Sequence, residues 1–186
     1  MKKIAIFASG NGSNFQAMIH EIEKGNLMAE IVALVTDKPD CFAVHRAQKH
    51  NIPVFAFTPE NYLSKEEYER EIAFFLIEKN VSLIVLAGYM RLIGEVLLSA
   101  FPNRIINIHP ALLPAFPGKN SIQQAYNYGV KIFGVTVHYV DSGVDTGKII
   151  AQECLKTTGT ESLQEIEQKI HSIEHQLYSN VIKKIL

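Results

Sequence analysis

The chain has 186 residues, 47% apolar and 20% charged, with a formal net charge of −1. That length suits one domain, residues 1–186, with a substantial core. Charges are balanced and form no block of one sign, which argues against a nucleic-acid or membrane-surface footprint but leaves room for a local anion site. The apolar stretch after Lys2 and Lys3 is broken by Ser9, Gly10, Asn11 and Gly12, too soon for a secretory h-region, and nothing approaches a membrane span. Cys41 and Cys154 lie far apart and read as reduced thiols of a cytoplasmic protein.

Strand and helix patterns alternate along the chain. Lys3 to Ala8 reads as a buried strand, and Ser13 to Lys24 as a helix with Phe15, Met18, Ile19 and Ile22 on one face. Glu30 to Thr36 is a second strand, and Asp40 to His50 a helix with Asp40 as its N-cap. Pro53 to Phe57 is a short strand, followed by a helix over Ser64 to Lys79 whose Ser64-Lys65-Glu66-Glu67 start fits a capping box. Ser82 to Ala87 is almost wholly apolar, as a central parallel strand requires. Gly94 to Ala100 reads as a short helix, Arg104 to Ile108 as a strand, and Asn120 to Tyr128 as a helix closed by Gly129. Phe133 to Val140 and Lys148 to Leu155 are two further strands around the polar loop 141–147. A long helix from about Glu161 carries Leu163, Ile166, Ile170, Ile173, Leu177, Val181 and Ile185 as a stripe that could seal the core or meet a partner helix, core packing being the preferred reading. The fold class is α/β: a Rossmann-like, doubly wound, mostly parallel sheet of about seven strands.

Three segments carry chemistry. Ser9-Gly10-Asn11-Gly12-Ser13-Asn14-Phe15 joins the first strand to the first helix, where glycines allow a tight turn and free amides face an anion. Phe15 stands where a dinucleotide fingerprint needs its third glycine, and no Gly-Lys-Ser/Thr follows, so a phosphate on a smaller ligand fits better. A turn with a Ser or Asn cap is the plainer alternative. In Asn107-Ile108-His109-Pro110, the amide and imidazole share one face of a strand that ends in a Pro-rich loop. Such a pair can stabilise an oxyanion and move a proton near neutral pH. The third segment runs from Gly134 through His138 to Gly147, with Asp141 and Asp145 in its loop. The loop lacks the oxygen ligands of an EF-hand. His109, His138 and Asp145 could ligate zinc, but no H-x-x-x-H or C-x-x-C spacing supports it, and no metal is expected.

Together these segments resemble the phosphoribosylglycinamide formyltransferase family over essentially the whole chain. The resemblance rests on Gly10-Asn11-Gly12-Ser13-Asn14, Leu86-Ala87-Gly88-Tyr89-Met90-Arg91, Asn107 to Pro114, and Gly134 to His138 through Asp145-Thr146-Gly147. It implies a one-carbon transferase that moves the formyl group of 10-formyltetrahydrofolate, a co-substrate, onto the amine of glycinamide ribonucleotide in purine synthesis. By resemblance, protonated His109 stabilises the oxyanion, Asn107 donates to the same oxygen, and Asp145 orients His109 and a relaying water. His138 is a secondary site residue. Gly12, Ser13 and Asn14 hold the phosphate, and Glu174 meets the glycinamide end, although a solvated helix residue is the alternative there. Folate lies along Lys65, Met90, Arg91, Leu92, Ile93, Asn107, Asp141, Val144 and Asp145. Some family members carry Arg where this chain has Lys65, and a His-bearing segment where it reads Pro117-Gly118-Lys119-Asn120-Ser121-Ile122. Partners are small-molecule substrates, without nucleic acid or membrane, in a monomer or homodimer. The alternatives are methionyl-tRNA formyltransferase, which normally has a second RNA-binding domain, a formyltetrahydrofolate hydrolase, a sugar amine formyltransferase, and a non-catalytic nucleotide-binding module.

Overall fold

Residues Ile4 to Phe7 and Leu83 to Leu86 are apolar at every position, so a strand made of either must be covered on both faces. A computed structural model of the chain, describing residues 1–186, places both in the middle of one sheet. The elements in order are β1 (Lys2–Phe7), α1 (Ser13–Glu23), β2 (Ala29–Thr36), α2 (Phe42–Lys49) and β3 (Val54–Ala56). They continue with α3 (Lys65–Glu78), β4 (Leu83–Leu86), α4 (Glu95–Ala100), β5 (Ile105–His109), α5 (Ser121–Tyr128), β6 (Ile132–Tyr139), β7 (Ile149–Lys156) and α6 (Leu163–Ile185). The seven strands lie in the order β3-β2-β1-β4-β5-β6-β7. All pairs from β3 to β5 are parallel, whereas β6 runs antiparallel to β5, and β7 antiparallel to β6.

Side-chain alternation along β1 divides the core. Ile4, Ile6 and Ala8 join the cluster that α1, α5 and α6 cover, while Ala5 and Phe7 join the one beneath α3 and α4. On β5, Ile106 and Ile108 belong to the first cluster. Asn107 and His109 therefore project on the other face, at the end of the strand where the parallel sheet presents its carboxyl edge.

Two helix starts differ from the sequence expectation. Asp40 is not the N-cap of α2; Cys41 occupies that position, and the Ala43 amide donates instead to the Gly10 carbonyl at 3.1 Å. The turn between β1 and α1 thus satisfies a helix-end donor of α2 that a side chain usually takes. At α3, Ser64 Oγ accepts from the Glu67 amide, but the Glu67 carboxylate takes the Leu63 amide at 2.7 Å rather than that of Ser64.

The C-terminal helix begins at Leu163, fixed by a capping box of Ser162 and Glu165. It packs on the core as expected, with a different centre. Ile166, Ile170 and Val181 are buried, but Leu163, Ile173, Leu177 and Ile185 are only partly covered. A further buried row runs through Glu174, Tyr178 and Ile182, none of which belongs to the predicted stripe. The Tyr178 hydroxyl donates to the Leu86 carbonyl at 2.8 Å and lies 3.1 Å from the Ile106 carbonyl, tying α6 to the ends of β4 and β5. Tyr178→Phe should cost about 1–2 kcal/mol by removing this buried donor. A thermal melt should read that as a loss of about 2–4 °C per kcal/mol, and an unchanged Tm would show that the hydroxyl holds nothing.

Candidate active site

Antiparallel pairing of β5 with β6 sets Asn107 opposite His138, so three polar side chains, with His109, gather at one sheet end. The loop after β6 adds a fourth. Gly147 lets this loop press onto the strand, since a Cβ there would fall 1.7 Å from the Tyr139 carbonyl oxygen. Asp141 organises the loop from within, its Oδ1 accepting from the Gly143 amide at 3.0 Å and Thr146 Oγ1 at 2.7 Å. Asp145, in the left-handed region at φ 54°, turns its carboxylate back over the strand ends.

Four donors or rings surround that carboxylate. Its Oδ2 accepts from the Gly118 amide at 2.8 Å and lies 3.4 Å from His109 Nδ1. Its Oδ1 lies 3.4 Å from Asn107 Nδ2 and 3.5 Å from His138 Nε2. Burial pushes the Asp145 carboxyl up, but hydrogen bonds from His138 and Gly118 and the charges of both histidines outweigh it and hold it below the ordinary carboxylate range.

The polarity of the two imidazoles follows from their neighbours. His138 Nδ1 sits 2.8 Å from the Tyr139 carbonyl, an acceptor, so Nδ1 carries the hydrogen. Its Nε2 then faces Asp145 Oδ1 at 3.5 Å and Asn107 Nδ2 at 3.2 Å. The Asp145 carboxylate, which only accepts, fixes the Asn107 amide with its nitrogen turned toward it. His109 Nε2 donates to the Phe116 carbonyl at 2.8 Å while Nδ1 faces Asp145, an arrangement that suits a doubly protonated ring.

The loop before α1 is built for close approach. Gly12 is the N-cap at φ 74°, and a Cβ there would stand 3.0 Å from Ala43 Cβ. No side chain caps this helix, contrary to the plainer alternative of a Ser or Asn cap, so the first-turn amides, including Ser13 and Asn14, emerge from the helix end. The loop is anchored by Arg46, which donates from Nε to the Asn11 carbonyl and from Nη2 to Asn11 Oδ1, both at 2.9 Å. Asn14 Oδ1 is buried and has no hydrogen-bond partner.

The remaining predicted residues divide by exposure. Glu174 is 5% exposed, so it is not a solvated helix residue; it accepts from His171 Nδ1 at 2.7 Å. Met90 and Leu92 are 58% and 54% exposed, and Val144 is exposed too, giving apolar surface open to a ligand. Ile93 packs in the core and offers a ligand only its backbone. Arg91 Nε donates to the Tyr68 hydroxyl at 3.3 Å. Lys65 lies 4.0 Å from Glu69, whose buried carboxylate accepts from the Gly94 amide at 2.6 Å. Arg46, Glu69, Ser9, Asp37 and the Phe116 carbonyl were not anticipated. Glu69 reads in sequence as one more charge on an amphipathic helix, and only packing against α4 reveals it. No group of three or more His, Cys, Asp or Glu side chains has a geometry that could hold a metal ion, and no helix is long and apolar enough to cross a membrane.

An amide, an imidazole and a carboxylate at the carboxyl edge of a doubly wound sheet, with an uncapped glycine turn nearby, define an α/β enzyme of the Rossmann-like class. The comparisons narrow this class. The chain belongs to the formyl transferase family, whose profile matches residues 2–182. It is 51% identical over 186 residues to phosphoribosylglycinamide formyltransferase of Bacillus subtilis (strain 168), covering 100% of this chain and 95% of the relative. Glycinamide ribonucleotide transformylase 1 from Geobacillus kaustophilus superposes with a TM-score of 0.97 at 49% identity, covering 100% of this chain and 99% of the other. Phosphoribosylglycinamide formyltransferase from Bacillus halodurans gives 0.96 at 50% identity, covering 100% and 95%.

Proposed function

We propose that the chain transfers the formyl group of 10-formyltetrahydrofolate to the amine of N1-(5-phospho-D-ribosyl)glycinamide, giving the N-formyl product and tetrahydrofolate in purine biosynthesis. The observation that carries this reading is the convergence of Asn107 and His109, each 3.4 Å from the Asp145 carboxylate, at the same sheet edge as the uncapped turn at Gly12.

The amine is itself the nucleophile, so no covalent enzyme intermediate is needed. Its lone pair attacks the formyl carbon, the carbonyl π electrons move to oxygen, and a tetrahedral oxyanion forms. His109 Nε2 already donates to a carbonyl, that of Phe116, and the formyl oxygen takes this place. Asn107 adds a second donor by turning Nδ2 from its resting partners. Asp145 supplies the counter-charge to the imidazolium. Collapse breaks the bond to the folate nitrogen, which gains a proton as the attacking amine loses one. Each aimed donor contributes about 3 kcal/mol to such a transition state.

The phosphate rests on the amides of Gly12, Ser13 and Asn14, and Glu174 receives the glycinamide end. Folate lies over Met90, Arg91 and Leu92, the Ile93 backbone, and the Asp141 to Asp145 loop with Val144, with Lys65 toward its acidic tail. The reaction takes place in the cytoplasm, and both monomer and homodimer are compatible with it.

Formyl-transfer assays with 10-formyltetrahydrofolate should show turnover with the ribonucleotide, and none with initiator methionyl-tRNA or water alone. Turnover with water alone would replace this reading with a hydrolase. Ser13→Asp places a negative charge beside the phosphate and should raise the ribonucleotide KM by about tenfold or more, with the folate KM little changed. An unchanged ribonucleotide KM would move the phosphate elsewhere.

A further inference from the structure

Ser9 and Asp37 are buried polar residues outside the groups assigned to either substrate. Ser9 ends the run that follows β1 and begins the turn leading to Gly12; Asp37 immediately follows β2. The Ser9 hydroxyl donates to Asp37 Oδ1 at 2.5 Å and accepts from the Met90 amide at 2.9 Å. Ser9 also donates its own amide to the Gly88 carbonyl at 3.1 Å. Asp37 Oδ2 lies 4.0 Å from Arg91 Nη1. One hydroxyl therefore joins the turn after β1 to the turn after β4, with its hydrogen fixed by a carboxyl group from a third strand. A serine hydroxyl has a single hydrogen, so giving it to Asp37 leaves its lone pairs for Met90.

The two turns are not held equally. The turn before α1 has independent anchors, in Arg46 on Asn11 and the Ala43 amide on Gly10. The turn from Gly88 to Arg91 is held by Ser9 at two backbone positions, by the Tyr89 ring edge-on to Phe7 at 5.2 Å, and by the Arg91 contacts to Tyr68 and Asp37, so the Met90 amide itself rests on the Ser9 hydroxyl. Loss of the hydroxyl should thus release the Met90 side and leave the Gly12 side in place.

We propose that Ser9, with its hydroxyl oriented by Asp37, is a positioning residue that sets the folate-bearing segment Met90–Arg91 at a fixed distance from the phosphate turn. This rests on the assignment of those two segments to folate and ribonucleotide. A displaced folate segment misplaces the formyl carbon relative to an amine whose own anchor has not moved.

The test is steady-state kinetics on the intact protein, varying each substrate in turn, for wild type, Ser9→Ala, Ser9→Thr and Asp37→Asn. Ser9→Ala should raise the 10-formyltetrahydrofolate KM by about fivefold or more and lower kcat by about tenfold, with the ribonucleotide KM within about twofold of wild type. Ser9→Thr keeps the hydroxyl and should recover most of the folate KM. Asp37→Asn keeps an acceptor for Ser9 and should fall between. Equilibrium binding of tetrahydrofolate, with circular dichroism to count folded protein, gives a second readout should Ser9→Ala turn over too slowly. A purely structural role would lower kcat and Tm with both KM values and the tetrahydrofolate Kd unchanged, and that result overturns the proposal. A wild-type protein with no ribonucleotide turnover would instead overturn the function on which it rests.

Discussion

His109→Ala should lower kcat for formyl transfer about a thousandfold or more while tetrahydrofolate binding remains measurable. The size follows from two losses at one position. The ring supplies a donor to the oxyanion, worth about 10²- to 10³-fold, and a proton-transfer group, worth a further 10²- to 10⁴-fold. The two are not additive, because the same hydrogen serves both roles. His109→Gln separates them: its amide can donate but cannot relay a proton, so its rate should lie between those of wild type and Ala. Binding should survive because the exposed Met90, Leu92 and Val144 surface does not include the imidazole, which is buried between Phe116 and Asp145. Turnover at the wild-type rate would remove His109 from the chemistry. Loss of tetrahydrofolate binding along with turnover would make its role structural.

How this position could be read from the sequence is itself physical. Strand periodicity is local, so Asn107 and His109 on one face of an apolar strand were legible, and so were the glycines of the turn before α1. The mostly parallel, helix-flanked architecture follows from alternation of the two patterns, whereas the strand order β3-β2-β1-β4-β5-β6-β7 came only with the structure. What stayed hidden depends on distant partners. Asp40 looks like a cap until the Gly10 carbonyl supplies a bond from the distant turn between β1 and α1. Glu174 looks solvated until α6 is laid on the core with Glu174 and Tyr178 at its centre. Ser9 and Asp37 lie 28 positions apart and carry no local pattern, yet one hydroxyl links them to Met90, 81 positions from Ser9. Asp145 was recognisable as a loop carboxylate and by family resemblance, but its contacts with Gly118, His109, His138 and Asn107 required the antiparallel turn of β6 beside β5.

Asp145→Asn should lower kcat about 10²- to 10³-fold with little change in either KM, because it removes a charge that matters most when the imidazolium faces an oxyanion. The wild-type carboxylate accepts from Gly118 and faces three nitrogen atoms. An amide has one oxygen and one NH2 group, so at least one of these contacts becomes donor against donor. The pH dependence follows from the direction of the shift. Asp145 has its folded-state pKa held below the ordinary carboxylate value by His138, Gly118 and His109, against the opposing effect of burial. Its stabilising contribution is therefore fully present above the unfolded value of about 3.9 and is lost as pH falls through the lower folded value. Wild-type protein should lose part of its Tm on that acid side, where Asp145→Asn, which has no such proton to take up, should show a shallower decline. Melts and single-turnover rates followed from about pH 7 to about pH 3 check both parts. Parallel Tm curves would mean that the carboxylate is not stabilised by its neighbours, and an unchanged single-turnover rate would mean that His109 does not need its charge.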